Sequence, residues 1–218
     1  MGAALLKQQF HSLLGGNLDW QHKPAPELVP SGILQLDLPR GALTEIVGPA
    51  SSGRASLLLS ILAAAAVRQE VCALIDAEDG FDPTSAAAAG VDLGRLLWVR
   101  CSHNAEHALK AADLLIQGGG FGLVVMDLGD TPPRQARRIS LTSWFRLRRA
   151  VEHTPTVLIA VSRQSNAKTC ASLVLECRRE RAFWPGAPVS RLLRGMTVRA
   201  TSIERSLACT HVFMARVI

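Results

Sequence analysis

Nine residues, Gly48-Pro49-Ala50-Ser51-Ser52-Gly53-Arg54-Ala55-Ser56, lie between a short apolar run, Leu43 to Val47, and an alanine- and leucine-rich stretch, Arg54 to Arg68. The run has the composition of a buried strand and the stretch that of a helix, so the glycines mark a tight strand-to-helix turn. A G-x-x-x-x-G-K-[ST] loop in that setting holds nucleotide phosphates: the glycines let the backbone wrap inward, its N–H groups point at phosphate oxygens, and the helix N-terminus adds positive potential. The frame is present here, with Gly48, Ser51, Ser52, Gly53, Arg54, Ala55 and Ser56 as cofactor-binding candidates for ATP and Mg²⁺. Two side chains depart from it. Arg54 stands where a lysine reaches the β- and γ-phosphates, and its planar fork does not replace an enclosed ammonium. Ala55 stands where a hydroxyl ligates Mg²⁺, and the hydroxyl of Ser56 is displaced by about 100° round the helix. A ligand-free glycine turn fits this segment, taken alone, equally well.

From Gly41 onward strands and helices alternate. Strands are predicted at 43–47, 71–76, 96–100, 123–127 and 156–161, and helices at 54–68, 84–89, 104–117 and roughly 138–152. The pattern then changes to consecutive strands at 172–179, 196–202 and 211–217. This predicts an α/β fold: a mostly parallel twisted sheet flanked by helices, extended by a C-terminal antiparallel meander. Ahead of it, Leu5, Leu6, Phe10, Leu13 and Leu14 have helical apolar spacing, and Asn17 to Gly32 is polar and proline-rich. The expected division is an N-terminal helix and linker over 1–32, an arm for a partner or for self-association, and a core domain over 33–218.

Hydrophobic residues make up 48% of the chain, which excludes disorder throughout. No apolar run is long enough to span a membrane and no cleavable leader pattern opens the chain, so a cytoplasmic location is expected. Five cysteines without a C-x-x-C pair suggest neither a disulfide framework nor a zinc site, and no metal ligands are assigned. The net charge of +6 divides unevenly. Residues 1–133 hold 8 Lys and Arg against 14 Asp and Glu, and residues 134–218 hold 16 against 4, giving −6 and +12. Arginine outnumbers lysine 20 to 4, which suits forks to phosphate or carboxylate, although a GC-rich genome gives the same bias.

Several separate blocks resemble the bacterial RecA recombinase family in order and spacing. They are Leu38-Pro39-Arg40-Gly41, Thr44 to Gly53, Ala73-Leu74-Ile75-Asp76-Ala77-Glu78, Phe81-Asp82-Pro83 and Gly90-Val91-Asp92, within a similarity that covers about residues 30–165. The resemblance implies a RecA-like core in which Glu78 matches the glutamate that activates the attacking water. It makes Asp127 the counterpart of the carboxylate that holds Mg²⁺ through water. Either Arg163 or Gln164 matches the glutamine that senses the γ-phosphate. With the loop lysine and hydroxyl replaced, the chain is expected to be a weak or absent ATPase, since phosphoryl transfer relies on positioning and charge neutralisation.

The reduced length and altered loop are similar to the RecA-like accessory proteins of SOS-linked translesion synthesis. That implies a RecA-type recombinase or a translesion polymerase-like protein as partner. Arg134, Arg137, Arg138, Arg146 and Arg149, with Arg163 and Lys168, are candidates for binding single-stranded DNA; a solvated basic surface accounts for the same residues. Trp144, Leu147 and Val151 share one face of the predicted helix, with Arg138, Arg146 and Arg149 opposite. A DNA-dependent ATPase of recombination type and a pure assembly module are the rival readings.

Overall fold

The computed structural model describes residues 26–187, 189, 191–203 and 208–216. The helix expected over 3–14 lies outside these residues. The chain begins with a small hairpin of β1 (Leu28–Pro30) and β2 (Asp37–Pro39). Thus Leu28–Pro30, within the stretch expected to be linker, is a strand, because Val29, Leu36 and Leu38 are apolar enough to join the core. The hairpin is tied down by Arg40, which bonds the Pro155 carbonyl at 2.6 Å and pairs with Glu70.

The main body is β3 (Ala42–Val47), α1 (Arg54–Val67), β4 (Cys72–Asp76), α2 (Pro83–Ala88), β5 (Leu96–Arg100), α3 (Ala105–Gly118), β6 (Leu123–Asp127), a short helix α4 (Pro133–Ala136), α5 (Leu141–Val151) and β7 (Val157–Ser162). It closes with β8 (Leu173–Phe183), β9 (Gly195–Ile203) and β10 (Ala208–Arg216). The sheet order is β10-β9-β8-β3-β7-β6-β4-β5, parallel from β8 to β5 and antiparallel across β8, β9 and β10. This is the α/β class with a terminal meander that the alternation of elements predicts.

Helices cover both faces because the strands alternate two apolar sets. Val157, Ile159 and Val161 of β7 pack with Leu57, Ile61 and Ala86 of α1 and α2, whereas Leu158 and Ala160 pack with Ala108 of α3 and Trp144 of α5. Side-chain caps start three of the helices: Asp82 accepts from the Thr84 and Ser85 amides, Asn104 from those of Glu106 and His107, and Ser140 from that of Ser143. The Ser140 cap places Arg138 in the turn before α5, a correction to its expected place on that helix. Trp144, Leu147 and Val151 do form the buried face of α5.

All five cysteines are free thiols. Burial pushes Cys72 up to about 11 and Cys177 up to about 12, so neither is a thiolate near neutral pH. Among the described residues no helix is long and apolar enough to cross a membrane.

Candidate functional site

The C-terminal ends of β3, β4 and β6 open on a cleft of about 370 Å³ lined by Ala50 to Ser56, Asp76, Glu78, Gly80, Asp127, Gly129, Asp130, Val161 and Met196. In an open parallel sheet this is where ligands bind, because the strand ends and helix N-termini converge there. Ser51 and Gly53 are left-handed, with φ of 57° and 93°, and α1 starts at Gly53 without a side-chain cap. Amides of the first turn therefore face the cleft. The hydroxyl of Ser52, a residue 2% exposed, has no hydrogen-bond partner among the described residues.

Arg54 points inward and is 7% exposed. Its Nη1 donates to the Gly129 carbonyl at 3.0 Å, beside the carboxylates of Asp127 and Asp130. Burial lowers its pKa, an effect these carboxylates partly offset. Arg163 reaches the same carbonyl through Nε at 3.3 Å and lies 3.8 Å from Asp130. Of the two counterparts left open by the sequence, Arg163 is therefore the one at the cleft edge. Gln164 turns aside, and its Oε1 accepts from Arg137 Nη2 at 2.9 Å.

The two carboxylates expected to do chemistry are both engaged. Glu78 accepts from Thr131 Oγ1 at 2.8 Å through Oε1, and its Oε2 meets His103 Nδ1 at 2.9 Å. Asp127 accepts from the Gly129 amide at 2.7 Å, and burial pushes its pKa up to about 6. Asp76 supports the turn that carries Glu78, accepting from the amides of Glu78, Gly80 and Phe81 and from Trp98 Nε1.

These residues fit ATP and Mg²⁺ only in part. The inward amides and the unpartnered Ser52 hydroxyl suit a phosphate. The metal half lacks a part: Ala55 carries no side-chain oxygen where a hydroxyl would ligate the ion, and Arg54 is committed to a protein carbonyl. Among the described residues no group of three or more His, Cys, Asp or Glu gathers to hold a metal ion.

The hydrogen bond to Glu78 raises the pKa of His103 above its ordinary value. The contribution of this pair to stability is fully present below the unfolded pKa of about 6.5 and is lost as pH rises through the higher folded value. An NMR titration of His103 is expected to show the raised midpoint and its return toward about 6.5 in Glu78→Gln. An unchanged midpoint in that variant would show that the contact does not form in solution.

Arg134, Arg138, Arg146, Arg149 and Lys168 are exposed, and Arg146 lies 3.3 Å from Asp113 of α3. The sequence reading missed Glu45, His103, Thr131 and the Gly129 carbonyl. Glu45, fully buried in β3, accepts from the amides of Asn166 and Ala167 at 2.8 Å each and from Ser165 Oγ at 2.5 Å. A lone carboxylate inside Ala42–Val47 was the signal available for it. It anchors the loop that carries Arg163 and Gln164.

A strand, a glycine turn with left-handed residues and a helix, set beside carboxylates at the ends of neighbouring strands, define an α/β protein of the phosphate-loop type. Residues 22–133, just over half of the chain, match the family model described as the RecA N-terminal domain. The chain belongs to the RecA family. It is 33% identical over 159 residues to Protein RecA of Chloroflexus aurantiacus, an alignment covering 63% of this chain and 45% of the relative. It is 40% identical over 112 residues to Protein RecA of Kineococcus radiotolerans, covering 48% and 32%. With Protein RecA of Deinococcus radiodurans it shares 34% identity over 157 residues, covering 62% and 43%. The chain thus spans less than half the length of these relatives.

Proposed function

We propose that this protein is a RecA-fold accessory protein of bacterial DNA repair, of the kind represented by ImuA in translesion synthesis, and that it binds protein partners and DNA in the cytoplasm without hydrolysing ATP appreciably. The observation that carries this reading is Arg54. The cation meant for the β- and γ-phosphates is buried against the protein's own Gly129 carbonyl, and its neighbour Ala55 supplies no metal ligand. Removing both anchors takes away most of what phosphoryl transfer needs, because that chemistry depends on charge neutralisation at fixed positions. The carboxylates Glu78 and Asp127 remain as inherited parts held by other contacts. Partners in this reading are a RecA-type recombinase or a translesion polymerase-like protein, with the N-terminal segment ahead of β1 as the contacting arm.

DNA binding is supported by the basic C-terminal part. Arg178 of β8 stands opposite Arg199 of β9, which stands opposite Val212 of β10, and all three are exposed. Glu176 and Glu180 pair with the two arginines, and Arg181, past the bulge and opposite Thr197, adds a further cation to the same face. Such a surface binds phosphates without reading sequence, so affinity for single-stranded DNA should fall with salt. Three neutralised phosphates imply about a 20-fold loss between 50 and 200 mM salt, and Arg178→Glu with Arg199→Glu should remove most of that slope. Undetectable binding at low salt would leave the pure assembly module.

ATP turnover with single-stranded DNA present is the direct test. No activity above background is expected, and Glu78→Ala should change nothing. Turnover that Glu78→Ala abolishes would overturn the reading in favour of a DNA-dependent ATPase.

A further inference from the structure

The Gly129 carbonyl is the meeting point of three loops. It accepts from Arg54, on the phosphate loop, at 3.0 Å and from Arg163, on the loop after β7, at 3.3 Å, while Gly129 itself opens the loop after β6. The loop after β6 is held again where Arg137 bonds Gln164, and a third time where Thr131 bonds Glu78. The loop after β7 is fixed from below by the buried Glu45. Every one of these contacts is made by the chain's own groups.

We infer that Arg54 is a built-in positioning residue that takes over the linking role of a nucleotide: it ties the phosphate loop to the Gly129 carbonyl, on which Arg163 of the loop after β7 also converges, so that the surface the three loops form is preassembled and binds its partner equally well with or without ATP. This rests on the reading of the cleft as a disabled nucleotide site. The physical reason is the placement of the charge. A guanidinium has its donors in a fixed fork, so it holds the carbonyl while its charge stays beside the carboxylates of Asp127 and Asp130, and an ammonium on a flexible stem holds such a geometry less well. Its position out of water strengthens each of those contacts. A Cβ added at Gly129 would lie 2.8 Å from Asp127 Oδ1 and 3.4 Å from Arg54 Nη1, so the glycine is what lets carbonyl, carboxylate and guanidinium crowd together.

Hydrogen exchange of the full chain tests this. In the wild type, amides of residues 129–138 and 163–170 should exchange at rates unchanged by ATP with Mg²⁺. In Arg54→Met, which keeps an apolar stem in the buried site, both loops should exchange about tenfold faster while β6 and β7 keep their protection. Arg163→Ala, at the more exposed end, should loosen only residues 163–170, which keeps the test available if Arg54→Met fails to fold. The affinity of the wild type for a single-stranded oligonucleotide should be the same with and without ATP. Unchanged exchange in both variants overturns the inference, as does loop protection that appears in the wild type only when ATP is added. A wild type that turns over ATP without altering the loops would instead overturn the disabled-site reading and support the link.

Discussion

Glu45→Ala is expected to lower the stability of the domain by about 4 kcal/mol, which for a chain of this size is a fall of roughly 10 °C in melting temperature. The carboxylate sits at 0% exposure in the middle of β3 and accepts three hydrogen bonds from Ser165, Asn166 and Ala167. Alanine leaves the two amides without their acceptor, and each unsatisfied buried donor costs about 1–3 kcal/mol. It also frees the loop that carries Arg163 and Gln164. Glu45→Gln keeps the shape and one acceptor, so a smaller loss is expected. Thermal unfolding followed by circular dichroism measures both, and a change below about 1 kcal/mol in Glu45→Ala would show that the loop is not anchored there.

Gly53→Ala is expected to cost about 2–4 kcal/mol, although the residue lies at the surface of a ligand cleft. Its φ is 93°, and an added Cβ would come 2.3 Å from Cγ2 of Val198 and 2.8 Å from its Cγ1. Two effects therefore combine: backbone strain at a left-handed position, and collision with β9. They separate in a double-mutant cycle. Val198→Ala alone should cost about 2 kcal/mol through lost burial of a fully covered side chain. In the double mutant the two methyl collisions are removed, while the 3.1 Å approach to Cβ of residue 198 and the φ strain persist, so the coupling should be favourable by about 1–2 kcal/mol. Strict additivity would mean that β9 does not press on the loop.

Much of the fold was legible because it depends on local apolar patterning. The apolar runs 43–47 and 123–127 appear as strands within a residue of their predicted ends, since a strand buried on both faces must be apolar throughout. The meander was legible instead from strand-forming composition, since β8 and β9 alternate buried with exposed or half-buried residues. Leu28–Pro30 was not, because a three-residue strand beside prolines carries no periodic signal and exists only by pairing with Asp37–Pro39. The start of α5 was misplaced by the same kind of limit. Arg137 and Arg138 continue the helical composition backwards, but the Ser140 side chain accepts the Ser143 amide and starts the helix after them.

At the site, the spacing of Gly48 and Gly53 located the cleft, and residues 54 and 55 depart from the lysine and hydroxyl of the phosphate-loop pattern. Both are facts about which groups a chain owns, and a sequence states those directly. Where each group spends its hydrogen bonds is a different matter. That Arg54 turns onto Gly129, that Glu78 is held between Thr131 and His103, and that Arg146 is neutralised by Asp113 all join residues 25 or more positions apart. No local pattern encodes such pairs. They follow from which strands lie side by side, so the sheet order, in which β3 sits between β7 and β8 and β6 between β7 and β4, decided which charges meet in the cleft.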